Sequence, residues 1–146
     1  MSDVFGDLRD WRGVLSTLDH LRAYGHLDRH QDGLARLVRC RENPRLQMAA
    51  LECSLLIGAS SDLLVADTLN TLACRESALE LRVTAARATG HLLSCYAANG
   101  SSRFDLRRAY QTLLHVAARE QPPPLADALQ EALKQAKPRI VGGTGA

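Results

Sequence analysis

Residues 81–95 read LRVTAARATGHLLSC, and this stretch decides the fold. Its small residues Thr84, Ala85, Ala88, Thr89 and Gly90 fall close together, where a helix of this length normally carries bulky apolar side chains. Small residues along one stripe let the backbone of a neighbouring helix approach closely, while flanking leucines fill the space beside it. We therefore expect a second helix to stack on this one.

A related stretch lies 35 residues earlier in the chain. A shift of 35 places Leu46-Gln47-Met48-Ala49-Ala50 on Leu81-Arg82-Val83-Thr84-Ala85, and Cys53-Ser54 on Ala88-Thr89. Each copy is followed by a second segment with apolar residues at helical spacing. The sequence therefore predicts an internal repeat of two antiparallel helical hairpins.

The ends of these helices carry recognisable capping residues. In chain order the signals are Asn43-Pro44 as a start, Gly58 as a stop, Ser61-Asp62 as a start, Ser77 with Glu80 as a capping box, Asn99-Gly100 as a stop after about Ala98, and Ser101-Ser102 as a start. Such residues satisfy the backbone groups that a helix leaves without partners at its ends. The short connection after Gly58 requires the next helix to fold back on the previous one.

The stretch Leu81 to Gly90 resembles the first helix of a HEAT-type repeat, whose pattern is an aliphatic residue, an Arg, paired small residues and then a Gly. The earlier copy is similar, with Gln47 in place of the Arg and Leu55 in place of the Gly. The resemblance covers about residues 43–118 and implies a short right-handed α-solenoid of stacked antiparallel hairpins. A tetratricopeptide-type stack is the alternative, but its Trp, Leu-Gly and Tyr positions do not recur at matching offsets.

We expect one α-helical repeat domain over residues 1–137. Residues 1–42, with Trp11 in their core, form capping helices; residues 43–118 form the two HEAT-like hairpins; residues 124–137 form a C-terminal helix; and residues 138–146 form a disordered tail. The C-terminal helix carries a narrow seam of Leu125, Leu129 and Leu133. This seam closes the end of the stack, docks on a partner or seals a dimer.

Composition and charge exclude several classes of protein. The 146 residues fit one domain, and the predominance of Leu and Ala over β-branched residues favours an all-α fold. The 18 basic and 16 acidic residues are mixed along the chain, so the net charge of +2 favours neither nucleic acid nor membrane. The absence of a secretory signal and of an apolar run of about 20 residues predicts a soluble, cytoplasmic protein. The cysteines Cys40, Cys53, Cys74 and Cys95 lack C-x-x-C spacing, so we expect them to be reduced and buried.

We expect no catalytic residue, metal site or cofactor. His20, His26 and His30 lie near acidic residues but form no H-E-x-x-H pattern, and His91 lies four residues before Cys95 without an orienting acid. No glycine-rich phosphate-binding loop occurs. Metal-dependent hydroxylases with HEAT-like repeats use His-Glu pairs, and the sequence has no His-Glu dipeptide.

We expect a non-catalytic adaptor that binds a protein partner. The HEAT-like resemblance implies that the second helix of each hairpin lines a concave surface, where the polar residues are Asp67, Asn70, Thr71, Arg107, Arg108, Gln111 and His115. Arg107 is the expected hot spot, because arginine combines bidentate hydrogen bonding with a large contact area.

Two alternatives stay open. The first is nucleic-acid binding through two arginine clusters, Arg36, Arg39, Arg41 and Arg45, and Arg103, Arg107, Arg108 and Arg119, although no aromatic residues interleave with them. The second is a dedicated chaperone or immunity-type partner in a bacterial secretion or toxin system.

Overall fold

The computed structural model describes residues 4–96 and 106–144, with side chains described as far as residue 137. Over these residues the chain is all-α. Its helices are α1 (Trp11–Tyr24), a 3-10 helix (Leu27–His30), α2 (Gln31–Val38), α3 (Pro44–Ser54), α4 (Asp62–Ala73), α5 (Leu79–Ser94), α6 (Leu106–Ala117) and α7 (Pro123–Thr144). The described residues form no strand, and an isolated parallel bridge pairs Ser60 with Tyr96.

The predicted helix starts at Asn43 and Ser61 are confirmed. The Asn43 side chain accepts a hydrogen bond from the Leu46 N–H at 3.3 Å, and the Ser61 hydroxyl accepts one from the Leu64 N–H at 3.4 Å. Both are N-caps that satisfy a free donor of the first helical turn. α3 ends at Ser54, before the predicted stop at Gly58.

The capping box predicted at Ser77 and Glu80 is wrong. α5 begins at Leu79 with Ala78 as its N-cap, and no side chain caps it. Ser77 instead lies in the preceding turn, where its N–H donates to the Cys74 carbonyl at 3.2 Å. α5 ends at Ser94 rather than near residue 98. The predicted signals at Asn99-Gly100 and Ser101-Ser102 lie outside the described residues.

The helices pack in two rows. α1 packs on α3, α3 on α5 and α5 on α7, while α2 packs on α4 and α4 on α6. Across the rows, α2 packs on α3, α4 on α5 and α6 on α7, each pair being joined by a short connection. α3 and α4, which the sequence pairs as a hairpin, approach each other less extensively than these neighbours do.

The most extensive contact is between α5 and α7, at the small residues of α5. A Cβ added to Gly90 would stand 2.7 Å from the Ala132 Cα. This is the close helix approach that the small residues predict. On α7 the buried residues are Leu125, Ala128, Leu129, Ala132 and Ala136. The leucine seam therefore packs inside the chain, with Leu133 half-buried against the same core.

α7 continues to Thr144, whereas the sequence predicts that the helix ends at residue 137 and that a disordered tail follows. Within the predicted bounds, the buried face of α7 reaches Ala136, one turn beyond Ala132. Residues 145–146 of the predicted tail lie outside the described part of the chain.

The N-terminal helices are separated by Gly25, whose φ of +71° is the left-handed conformation that ends α1. Trp11 is half-buried against the core rather than enclosed by it. The guanidinium carbons of Arg12 and Arg45 lie 5.1 and 5.0 Å from its ring centroid, which is cation–π distance. Arg45 belongs to α3, so this contact links α1 to α3.

Polar side chains link the turns at one edge of the molecule. The Asp28 carboxylate accepts from the Gly58 N–H at 3.2 Å. The Gln31 side-chain amide donates to the Ala59 carbonyl at 2.7 Å and accepts from the Ser61 N–H at 2.7 Å. These bonds connect the 3-10 helix and the start of α2 to the connection between α3 and α4.

The same edge continues from that connection to the end of α5. The Ser60 N–H donates to the Cys95 carbonyl at 3.0 Å, and its hydroxyl donates to the Leu92 carbonyl. The Tyr96 hydroxyl donates to the Asp62 carboxylate. We call the two sets of bonds together the turn ladder.

At the opposite ends of α3 and α5, two long polar side chains make equivalent bonds. The Gln47 amide donates to the Val38 carbonyl at 2.7 Å, and Arg82 Nε donates to the Leu72 carbonyl at 2.9 Å. Each side chain donates a hydrogen bond to a carbonyl in the last turn of the preceding helix. Such a carbonyl has no hydrogen-bond partner within its own helix. Gln47 and Arg82 lie 35 residues apart in the sequence.

Candidate binding surface

A shallow cleft of ≈ 370 Å³ runs along the outward face of α6. Its lining consists of Ala73 at the end of α4 and of Arg108, Gln111, Thr112, His115, Val116 and Arg119. The structure therefore brings together three of the predicted binding residues, Arg108, Gln111 and His115. They lie three and four residues apart, so successive helical turns place them on one side of α6.

Two other predicted residues are exposed outside this cleft. Asn70 lies on the outward side of α4, and Arg107 lies on α6 beside the cleft residues without lining it. The expected hot spot at Arg107 is therefore off the cleft, and Arg108 occupies the position inside it. The apolar side chain of Leu114 is also 44 % exposed on α6.

Asp67 and Thr71 do not belong to this surface, because both are buried. The Thr71 hydroxyl donates to the Asp67 carbonyl at 3.2 Å, within α4. Asp67 Oδ2 lies 3.5 Å from Arg39 Nε. Burial raises the pKa of the Asp67 carboxyl above its ordinary value, and the Arg39 charge only partly opposes this. Asp67 therefore links α4 to the end of α2, and Thr71 bonds within α4, so neither side chain faces a partner.

The first predicted arginine cluster is largely engaged within the chain. Arg36 Nη2 donates to the Gly6 carbonyl at 2.7 Å, Arg39 pairs with Asp67, and Arg45 lies over Trp11. Arg41 is exposed. These four side chains therefore do not form one array facing solvent.

The second predicted arginine cluster is divided. Arg103 lies outside the described residues, while Arg107 and Arg108 are exposed on α6. Arg119 lines the α6 cleft and also a second cleft of ≈ 400 Å³, together with Arg75, Arg82, Glu120 and Gln121. Arg75 and Arg82 cannot be predicted as site residues from local sequence, because they meet Arg119 only through the packing of α4, α5 and α6.

His91 and Cys95 make further contacts beside the turn ladder, at the end of α5. His91 Nε2 lies 2.6 Å from the Ile57 carbonyl oxygen, and the Cys95 thiol donates to the same oxygen at 3.5 Å. The described residues place no carboxylate in ion-pair contact with His91. The pair therefore links the end of α5 to the turn after α3.

The N-terminal histidines lie among aromatic rings. The ring centroids of His20 and Tyr24 are 4.6 Å apart, and those of Tyr24 and His26 are 6.5 Å apart. Within residues 4–96 and 106–137, no group of three or more His, Cys, Asp or Glu side chains is arranged to hold a metal ion.

The cysteines are all free thiols, but the expectation that all are buried is wrong. Cys53 is buried, whereas Cys40, Cys74 and Cys95 are half-buried. Burial raises the pKa of the Cys53 thiol to about 11. A hydrogen bond with the Ser77 side chain lowers the pKa of the Cys74 thiol. The four thiols therefore differ in their readiness to form thiolate.

Comparisons with protein families, with curated proteins and with solved structures give no match for this chain. Among the helices that the structure describes, none combines the length and the apolar character needed to cross a membrane.

Proposed function

We propose that this chain is a protein-binding adaptor that holds a segment of a partner protein in the cleft along α6. The observation that carries the proposal is the alignment of Arg108, Gln111 and His115 along one cleft. Side chains three and four residues apart on a helix present a continuous polar stripe that an elongated segment can follow. The arginine side chain offers several donors, and the glutamine and histidine side chains offer both donors and acceptors, as recognition of a peptide requires.

The charge of the cleft favours a partner segment that carries carboxylates. Its lining includes Arg108, Arg119 and His115 and no acidic residue among those described. Guanidinium groups pair bidentately with carboxylates, which gives both orientation and affinity. The exposed Leu114 supplies an apolar contact next to this polar stripe, as is common at protein interfaces.

We also propose that the helices form a short HEAT-like α-solenoid, with α2, α4 and α6 on its binding side. Equivalent hydrogen bonds at positions 35 residues apart support this arrangement. Besides Gln47 and Arg82, the Ser54 hydroxyl donates to the Ala50 carbonyl at 2.8 Å and the Thr89 hydroxyl donates to the Ala85 carbonyl at 2.7 Å. A stack of such units presents successive helices side by side, which produces an extended surface.

Nucleic-acid binding receives less support. Three arginines of the first cluster already contact Gly6, Asp67 and Trp11, so their charges are not arranged for a phosphate backbone. The dedicated chaperone or immunity-type role is a narrower form of the adaptor proposal. It predicts one stoichiometric partner rather than several.

The proposal is tested by site-specific photocrosslinking in a lysate of the native host. A photoreactive residue replaces Gln111 in one variant and Arg87, exposed on α5 away from the cleft, in the control. We expect a protein crosslink from position 111 that survives nuclease treatment, is reduced by Arg108→Ala and is absent from position 87. A pattern that is the same at both positions, or a crosslink to nucleic acid, contradicts the proposal.

A further inference from the structure

A second cleft, between the connection of α4 to α5 and the connection of α6 to α7, is lined by three arginine residues. Arg75, Arg82, Arg119, Glu120 and Gln121 line it, and its volume is ≈ 400 Å³. Three arginines and one glutamate give this lining a formal charge of +2. None of the carboxylates that the structure describes forms an ion pair with Arg75, Arg82 or Arg119.

Arg82 is the least exposed of the three arginines in this cleft. The residue is only 9 % exposed, and its Nε donates to the Leu72 carbonyl at 2.9 Å. Its Nη1 and Nη2 groups have no hydrogen-bond partner among the described residues. Burial lowers the pKa of the Arg82 guanidinium; the Cys74 thiol opposes this shift, and the nearby Arg75 charge adds to it. The Nη groups are not fully buried, so they can donate to an anion that enters the cleft, and a cation with so little access to water gains from such a partner.

The comparison with Gln47 separates two roles of Arg82. Gln47 makes the equivalent bond to the Val38 carbonyl through an uncharged amide. A hydrogen bond to a carbonyl at a helix end therefore does not require a charged donor. The positive charge at position 82 is additional to that bond, and it lies where Arg75 and Arg119 add two more charges.

We propose that this cleft binds a phosphate dianion, either free or as the terminal group of a phosphate monoester. A phosphate monoester carries about −1.5 to −2 charges at pH 7, which complements the lining. The Nη groups of arginine present paired donors that fit two phosphate oxygens at once. Glu120 opposes the anion and sets the net charge to that of one dianion, while the Gln121 side chain donates to the Val116 carbonyl at 3.0 Å.

This site does not depend on the proposed adaptor function, although Arg119 lines both clefts. The two are distinguished by their variants. Arg82→Gln removes charge from the phosphate cleft alone, because Arg82 does not line the α6 cleft. Gln111 and Arg108 line the α6 cleft alone.

The test follows the arginine side-chain resonances of the full-length chain by NMR during titration with sodium phosphate at pH 7 and constant ionic strength. We expect saturable shifts of Arg82 and Arg119. Arg82→Gln, which copies the residue at position 47 and keeps a donor for the Leu72 carbonyl, weakens binding by about tenfold or more, as expected for a lost charge-assisted group. Arg87→Gln, exposed on the same helix, leaves binding unchanged.

Parallel titrations separate the sources of the phosphate. Saturation by both inorganic phosphate and O-phosphoserine supports a site for a monoester, and saturation by inorganic phosphate alone supports a site for the free ion. Equal responses to phosphate, chloride and acetate, or an undiminished response in Arg82→Gln, overturn the proposal. If Arg82→Gln fails to fold, the double variant Arg75→Gln, Arg119→Gln replaces it, because both of these residues are exposed. Undiminished phosphate binding in that variant overturns the proposal as well.

Discussion

Gly90 of α5 and Ala132 of α7 lie so close together that a Cβ on Gly90 would stand 2.7 Å from the Ala132 Cα and 2.9 Å from its Cβ. Both neighbouring atoms belong to a buried residue, so no flexible side chain can move aside. The α7 helix itself has to shift to accept a methyl group at this position.

We therefore expect Gly90→Ala to destabilise the protein. Alanine in a helix interior is favoured over glycine by about 1 kcal/mol, but overpacking of a well-packed interface costs about 1–3 kcal/mol. The clash is with a backbone atom, which places its cost in the upper part of this range, and we expect a net loss of about 1–2 kcal/mol in the free energy of unfolding, measured by urea denaturation. Gly58→Ala is the control, since its Cβ would meet only Asp28 Oδ2 at 3.6 Å. A Gly90→Ala protein as stable as the parent contradicts the close packing of α5 and α7.

The bond from the Tyr96 hydroxyl to the Asp62 carboxylate is expected to contribute to stability. Tyr96→Phe removes the donor, and the loss of a hydrogen bond to a charged group costs about 1.5–3 kcal/mol. Tyr110→Phe is a matched control, because its hydroxyl has no hydrogen-bond partner among the described residues. If both substitutions have the same small effect, the Tyr96 bond does not stabilise the turn ladder.

The contribution of Tyr96 also depends on pH. Burial, together with the hydrogen bond to Asp62, raises the pKa of Tyr96 to about 12, above the ordinary value of 10. A raised folded-state pKa means that the contribution is complete below pH 10 and is lost as the pH rises through about 12. The stability difference between the parent and Tyr96→Phe should narrow over that window. A difference that stays constant up to pH 12 contradicts the assignment.

Asp67 is expected to reduce stability at neutral pH. Burial raises its pKa above the ordinary value, so its favourable contribution is present at low pH and is lost as the pH rises through the folded-state pKa. Asp67→Asn should therefore raise the melting temperature at pH 7 and have little effect near pH 3. Arg39→Gln should lower the melting temperature at pH 7, because it leaves the buried carboxylate without its ion pair. A lower melting temperature for Asp67→Asn at pH 7 shows instead that the Arg39 pair outweighs the cost of burial.

The thiols are expected to react at different rates with iodoacetamide. At pH 8 the fraction of thiolate is greater at Cys74, whose pKa is lowered by Ser77, than at the buried Cys53, whose pKa is raised to about 11. Mass spectrometry of timed samples should find Cys74 modified first and Cys53 last. Ser77→Ala should slow the reaction of Cys74 and leave Cys40 unchanged. Equal rates at Cys53 and Cys74 contradict the burial of Cys53.

The sequence predicts the helices well wherever the apolar spacing and a capping residue agree. Asn43 and Ser61 are placed correctly, because a polar residue stands directly before an apolar helical pattern. The predicted helix start at Ser77 is wrong, because the chain makes a further turn between Cys74 and Ser77 before α5 begins. In the sequence, a helix that starts one or two residues later has nearly the same apolar pattern. The small residues around Gly90 predict a close neighbour, but the apolar pattern does not identify that neighbour as α7.

The candidate site is predicted only in part, because burial depends on the number of helices that surround a residue. Arg108, Gln111 and His115 are exposed and line one cleft on α6, and whether they bind a partner stays a prediction. Asp67 and Thr71 lie on α4, which packs against α2, α5 and α6, so its buried surface is wider than its leucine spacing indicates. The phosphate cleft is formed by side chains from three separate segments. No local sequence pattern indicates that these three segments lie close together in the fold.

The turn ladder has a consequence for how the chain folds. Its bonds between Asp28 and Gly58, Gln31 and Ser61, Ser60 and Leu92, and Asp62 and Tyr96 join residues 30 to 34 positions apart. Each bond therefore closes a loop of similar, modest length, and the entropy lost on closure is nearly the same at every step. Such a chain is expected to fold by adding one unit after another to a formed neighbour. Such a chain can also gain a further pair of helices in evolution, because the hydrogen bonds between the existing helices do not change when a pair is added at one end.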